Sequence, residues 1–185
     1  MPSVTSVERV EATLNRRPVD QLAVYEHPWG ETISRWKQQG HLREDEDIGE
    51  HFNFDIRQGG WLNSVANLDF QPVTLEETEE TILTLDGNGA RLRRHKLHAS
   101  TPEHVGFTVT DFASWKEHAR PFLVGPLDKR RIPFESYRQA KAFAREKQRF
   151  FCWGGVAPFE QMHPMTGHEN LLAGMAEDPE WVRDM

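Results

Sequence analysis

Apolar residues recur along this chain at helical spacing in some stretches and alternate with polar ones in others. Thr5-x-x-Glu8 has the form of a capping box. Val7, Val10 and Leu14 behind it make a helical stripe that Pro18 closes. Residues 22–25 form a short apolar run that predicts a buried strand. Trp29, Ile33 and Trp36 share one helical face, which predicts a second helix ending near Gly40. Residues 41–50 are acidic and predicted exposed, and residues 61–70 read as a strand before Pro72.

A β-hairpin is predicted over residues 78–94. Leu83 and Leu85 alternate with Thr84, Ala90 and Leu92 with Arg91 and Arg93, and Asp86-Gly87-Asn88-Gly89 supplies a turn that tolerates positive φ. Asp111 can cap a short helix carrying Phe112, Trp115 and Ala119, closed by Pro121. Pro133 suits the first turn of a longer helix with Tyr137, Ala140 and Ala144 on one face. Phe150-Phe151-Cys152-Trp153 is apolar on both faces, as a central parallel strand would be, and Gly154-Gly155 ends it. Thr166-x-x-Glu169 is a second capping-box pattern, and Asp178-Pro179 opens a last short helix whose apolar residues run to Met185. Strands alternating with helices imply an α/β fold carrying the hairpin as an insertion. The last helix has no Gly or Asn to end it, the pattern of a chain that stops early.

Composition narrows the function classes. The chain has 185 residues and a net charge of -7, so a broad basic face for nucleic acid is not expected. Mean hydropathy is -0.68, and neither a membrane-length apolar run nor a signal-peptide pattern is present. Cys152 is the single cysteine, which excludes an internal disulfide and suits a reducing, cytoplasmic setting. No nucleic-acid or membrane partner is expected. Within an apolar strand Cys152 reads as core. Arg91, Arg93 and Arg94 read as one solvated hairpin face. His95, His98 and His104 lie in a loop without a fourth ligand in sight, so no metal site is expected.

Several motifs, in order, resemble the uroporphyrinogen decarboxylase superfamily. Ser6-Val7-Glu8-Arg9-Val10, Arg17-Pro18-Val19-Asp20 and Leu22-Ala23-Val24-Tyr25 resemble its opening. Leu75-Glu76-Glu77-Thr78 leading to Asp86-Gly87-Asn88-Gly89 follows, then Ser100-Thr101-Pro102-Glu103-His104. The most specific stretch runs from Gly154-Gly155-x-x-Pro158-Phe159-Glu160 through Gly167-His168-Glu169-Asn170-Leu171-Leu172 to Asp178-Pro179-Glu180. The resemblance covers nearly the whole chain and implies a TIM-type (β/α) barrel. Such barrels take ~250 residues. The 185 residues here therefore imply the N-terminal half, an incomplete barrel with a β-hairpin insertion at about residues 73–96. An open sheet edge in such a half-barrel implies self-association.

The family has a branch that decarboxylates uroporphyrinogen without a cofactor. Another branch transfers methyl groups between corrinoid carriers and thiols or related acceptors, usually at zinc. The resemblance places His27 and Glu31 where the decarboxylases carry carboxylate-binding arginines, which points to the methyltransferase-like branch. It implies action on or with a tetrapyrrole, and corrinoid-dependent methyl transfer in the full-length form. Zinc and a corrinoid protein partner belong to that form, with no cofactor held by this chain. A truncated, catalytically inactive chain serving as a binding or assembly unit is the alternative, as is decarboxylation of uroporphyrinogen. Asp69 falls where the decarboxylases bind pyrrole nitrogens, or else is a turn aspartate at a strand end. His27, at the end of the first strand, is either a site residue or a capping histidine. Gly154 and Gly155 would let a ligand reach the backbone, with Phe159 beside it.

Overall fold

The computed structural model describes residues 4–98, 100–155 and 158–185. Among these the chain is mixed α/β, with a two-stranded parallel sheet, a four-stranded antiparallel sheet and no closed barrel. It divides into two compact units, residues 1–62 with 132–155, and residues 63–131 with 156–185. No helix is long and apolar enough to cross a membrane.

In the first unit, helix α1 (Ser6–Leu14) begins with the predicted capping box. The Thr5 hydroxyl accepts from the Glu8 N–H, and the Glu8 carboxylate accepts from the Thr5 N–H at 2.8 Å. Helices α2 (Gly30–Gln38) and α3 (Ile48–His51) follow, and Asp47 caps α3. Strand β1 (Ile56–Gln58) then pairs in parallel with the distant β6 (Phe150–Cys152), Ile56 opposite Phe150 and Gln58 opposite Cys152. Residues 22–25, predicted as a buried strand, form none and are largely exposed, Leu22 at 77%. One backbone bond ties them to the residue before β1, the Val24 carbonyl accepting from the Asp55 N–H at 2.8 Å, and no ladder continues from it. Helix α6 (Phe134–Glu146) leads into β6 and buries Ala140 and Ala144, as its spacing predicts.

The buried centre of this unit is polar. Asp55 is fully buried and accepts from the Arg9 guanidinium at 2.5 Å and from the Val24 N–H at 2.8 Å. Arg9 also grips Asp20 through two bonds of 2.9 and 2.8 Å. Burial works against the Asp55 charge, yet the Val24 N–H, the Ser6 hydroxyl and Arg9 together hold its carboxyl below the ordinary range. Hydrogen bonding from Arg9 brings Asp20 down to about 2. One arginine therefore ties the helix, the loop after it and the first strand pair together.

In the second unit, strands β2 (Val73–Glu77), β3 (Thr81–Leu85), β4 (Ala90–His95) and β5 (Glu103–Phe107) form an antiparallel meander in that order. The predicted hairpin is its centre, β3 and β4. Asp86 closes the turn by accepting from the N–H groups of Asn88 and Ala90, both at 2.9 Å. Gly89 takes the left-handed conformation, with φ of 77°. The sheet is wider than the hairpin because β2 and β5 flank it, strands whose exposed, mixed residues carry no clear alternation.

Residues 61–70 form no strand, contrary to the apolar pattern. Within this unit, the Arg131 guanidinium takes the carbonyls of Asn63, Val65 and Ala66, and the Asn88 side chain accepts from the Ala66 N–H. These side chains replace a ladder partner.

Helices α4 (Phe112–His118), α5 (Arg120–Leu123), α7 (Pro158–Glu177) and α8 (Pro179–Asp184) complete the unit. Ala66, Val109, Trp115, Ala119, Met165 and Trp181 form one core cluster, with Met185 packed against it. The Trp115 indole N–H donates to Asp184 at 2.8 Å. Asp178 caps α8 as predicted. The capping box predicted at Thr166 is absent. Gly167 breaks α7 with φ 78° and ψ 158°, and the buried Thr166 hydroxyl turns back to the carbonyls of Met162 and Gly167.

Candidate functional site

The first unit contains a cavity of about 250 Å³. At one end stand Tyr25, Glu26 and His27, which follow the 22–25 segment, with Gln58, Gly59 and Trp61 from the end of β1. The Tyr25 hydroxyl donates to the Gln58 side-chain oxygen at 2.5 Å. Burial pushes the Tyr25 hydroxyl above its ordinary value and nearby Cys152 adds to this, while Arg57 opposes it. Burial likewise pushes the Cys152 thiol up, which suits an unreactive side chain rather than a nucleophile. At the other end, Arg57 lies over the Phe143 ring and donates to Asp47 at 2.7 Å. Arg149 lines the same cavity. Its terminal nitrogens reach Ser6 and Glu50 at 3.4 and 3.3 Å, whereas its Nε–H is buried without a partner. The cavity thus has aromatic walls, a tyrosine and a glutamine that hold each other, and two guanidinium groups in its lining. Such a set can bind a flat ligand bearing an anionic or carbonyl oxygen.

The second unit contains an open cleft of about 560 Å³ between β5 and α7. His104 and Phe107 project from β5, and His163, His168 and Asn170 from α7. The His163 and His168 rings stack with centroids 4.2 Å apart, and His104 stacks on Phe107 at 5.6 Å. Phe159 lies 5.8 Å from both α7 histidine rings. His163 Nε2 is 3.1 Å from the Glu160 carboxylate, while its Nδ1 is buried without a partner. Burial lowers the His104 pKa below its ordinary value, and His163, His168 and Arg94 lower it further while Asp86 opposes them. Among the described residues no group of three or more His, Cys, Asp or Glu side chains is arranged to hold a metal ion.

The sequence-predicted residues are distributed over both units. His27 lines the first cavity, and its backbone N–H donates to Glu26 at 2.8 Å. Glu31 is exposed in the first turn of α2, outside the residues lining that cavity. Gly154 follows β6, and a Cβ built there would lie 2.7 Å from Gln58 Nε2, so a side chain would displace the glutamine. Gly155 beside it has open space around the equivalent point. Asp69, in the second unit, is exposed and held by Arg130 at 2.6 and 3.2 Å. Hydrogen bonding from Arg130 holds its carboxyl below the usual range. Phe159 packs beside His163 and His168 in the second unit, outside the residues lining either cavity. His95 and His98 face each other at 4.7 Å, while His104 joins the α7 histidines.

Tyr25, Gln58, Arg149, His163 and His168 have no marked role in the sequence reading. Arg149 had a readable signal, since a charge beside an apolar strand must find a partner. The His163–His168 stack had none, because its geometry depends on the break at Gly167. No family model, no curated protein and no solved structure matches the chain.

Proposed function

We propose that the chain is a uroporphyrinogen decarboxylase-like protein that acts on or with a tetrapyrrole. It supplies the first strands of an incomplete TIM-type (β/α) barrel, and corrinoid-dependent methyl transfer is the reaction of the full-length form. The observation that carries this reading is the parallel pairing of β1 with β6 in the first unit, with helix α6 leading into β6. Successive parallel strands with intervening helices are how a barrel begins. The Arg9–Asp20 pair supports it further, because it joins two motifs on which the family resemblance rests. In this reading the first cavity is the ligand end, since Gln58 ends β1 and Gly59 and Trp61 follow it, where barrel sites are built.

Equilibrium dialysis of the purified chain against methylcobalamin and against uroporphyrin tests the reading. Methylcobalamin is chosen because its methyl ligand shields the cobalt from stray histidines. Saturable binding at micromolar concentration, lost in Trp61→Ala and His27→Ala, is expected. No retention of either compound at millimolar concentration would overturn it. Turnover of uroporphyrinogen is not expected, given His27 and Glu31 at the arginine places.

A second reading, a non-catalytic assembly unit, draws on the free edge of β6. That strand pairs only with β1 among the described residues, and Trp153 beyond it is 49% exposed. An unpaired apolar edge is a template for a second copy. Sedimentation at several concentrations decides this: a concentration-dependent dimer supports it, and a monomer throughout removes it.

A further inference from the structure

Three histidines meet where α7 rests on the edge strand of the antiparallel sheet, and nothing in the proposed tetrapyrrole chemistry uses them. The seat of the helix is Gly167. A Cβ there would lie 2.4 Å from Phe107 Cε2, so the helix backbone rests directly on that ring. The same ring carries His104 on its face. On the helix side, the broken turn at Gly167 lets His163 and His168 stack with rings only 22° from parallel. A carboxylate can only accept, so Nε2 of His163 donates to Glu160, and its Nδ1 carries a lone pair. A proton added at this buried Nδ1 would find no acceptor.

We propose that His104, His163 and His168 form an acid-sensitive latch between β5 and α7. Uncharged, the rings pack in the cleft and keep Gly167 on Phe107. Charged, they repel one another at close range and α7 leaves the sheet edge.

Charges of both signs face the cluster. From the sheet, Asp86 in the β3–β4 turn attracts an imidazolium at His104, while Arg94 on β4 repels it. Arg91 on β4 lies near Gly106 of the cleft wall and adds positive charge. Glu103 on β5 is occupied by Arg93 at 3.0 Å. On α7, Glu160 is held by His163 and Glu169 lines the cleft. On α8, which packs along α7, Asp184 is engaged by Arg120 and Trp115. His104 is the group with a lowered folded value, set first by burial and then by His163. A histidine depressed in the latched state contributes fully above its ordinary value near 6.5. That contribution is lost as pH falls through 6.5 toward the lowered value, because the released state takes the proton more readily.

Hydrogen exchange of the full chain at pH 7.5 and 5.5, corrected for the intrinsic pH dependence of amide exchange, tests the latch. Protection of α7 is expected to fall severalfold at pH 5.5, because the released state takes the proton more readily than the latched one. The β2–β3 ladder, which carries no histidine, should keep its protection. In the double variant His104→Phe, His168→Phe, which keeps rings in the cleft and leaves His163 without a charged neighbour among them, the acid loss should shrink markedly. Equal α7 protection at both pH values, or an undiminished acid loss in the double variant, would overturn the proposal. If that variant does not fold, the wild-type chain still decides the matter by NMR. The α7 amide shifts must then move with the same midpoint as the His104 ring, and their failure to do so also overturns the latch.

Discussion

The two units of this chain are held by different physics. The centre of the first holds a charge cluster, with Asp55 fully buried against Arg9, beside buried apolar residues such as Val10, Phe54 and Ala144 that form no single cluster like that of the second. The centre of the second is an aromatic and aliphatic cluster around Trp115 and Trp181. A buried ion pair returns little net stability over a well-packed apolar alternative, but breaking it strands a charge. An apolar cluster is stabilised by area and packing and is tolerant of pH. The first unit should therefore respond to charge and acid, and the second to lost volume.

The largest single effect is expected in the second unit. Trp115→Ala removes a fully buried ring, and such truncations cost about 3–5 kcal/mol. The upper end applies here because Asp184 also loses its indole donor. The measurement is amide-exchange protection, element by element. It should drop in α4 and α8 and persist in α1 and β1. Equal loss in all four would erase the contrast drawn here.

Asp55→Asn comes next and acts on the first unit. The asparagine keeps the shape and can accept from the Val24 N–H, but Arg9 loses the charge facing it. Arg9 retains Asp20, so a cost of about 3 kcal/mol is expected, the lower end for stranding one partner of a buried pair. Acid should mimic the substitution. Asp20 and Asp55 both sit below their ordinary values in the folded chain, Asp20 at about 2. Their contribution is complete above the ordinary carboxyl value of about 4 and drains away as pH falls from there through about 2. NMR amide signals of α1 and β1 should weaken steeply in that window in the wild type and more gradually in Asp55→Asn. Asp111 and Asp184 of the second unit are depressed too, yet they lie at the rim of an apolar core, so its acid loss should be shallower. A steeper loss in the second unit would reverse the comparison.

The same contrast explains what could be read in the sequence. The capping box at Thr5, the N-cap at Asp178, the Asp86–Gly89 turn, the Ala140/Ala144 face and the apolar run at Phe150 are local signals, and each forms the element its pattern predicts, although β6 pairs only with β1 among the described residues and is not a central strand. Strand β1 was not legible. Ile56-Arg57-Gln58 is too short to show a period, and the residue before it, Asp55, is a buried charge whose partner lies 46 positions away. Residues 61–70 misled because apolar content says nothing about which side chain takes the backbone carbonyls, and here Arg131 does. The Thr166 pattern misled because Gly167 gave the chain a cheaper way to turn. Of the residues singled out from the sequence, His27 lines the first cavity, although no strand precedes it, and Gly154 lies against Gln58 but outside that lining. Tyr25, Gln58 and Arg149 become neighbours only once β1 and β6 pair.

The smallest effect expected is the most diagnostic of how the first unit is held. Thr5→Ala removes the hydroxyl that accepts from the Glu8 N–H and donates to the Glu8 carboxylate, leaving that carboxylate only the backbone N–H of residue 5. Losing an N-cap of this kind costs about 1 kcal/mol. In an ordinary surface helix that cost would stay local. Here Arg9 stands in the second turn of α1, one residue beyond Glu8, and its guanidinium reaches both Asp20 and Asp55. Fraying of the first turn therefore loosens the group on which the buried carboxylate depends. The two substitutions should be coupled: Thr5→Ala should cost its full amount in the wild type and markedly less in the Asp55→Asn background, where Arg9 has already lost its buried partner. A double-mutant cycle read from denaturant unfolding gives the coupling directly. Strict additivity would mean that the cap serves α1 alone and that the charge cluster keeps its geometry without it.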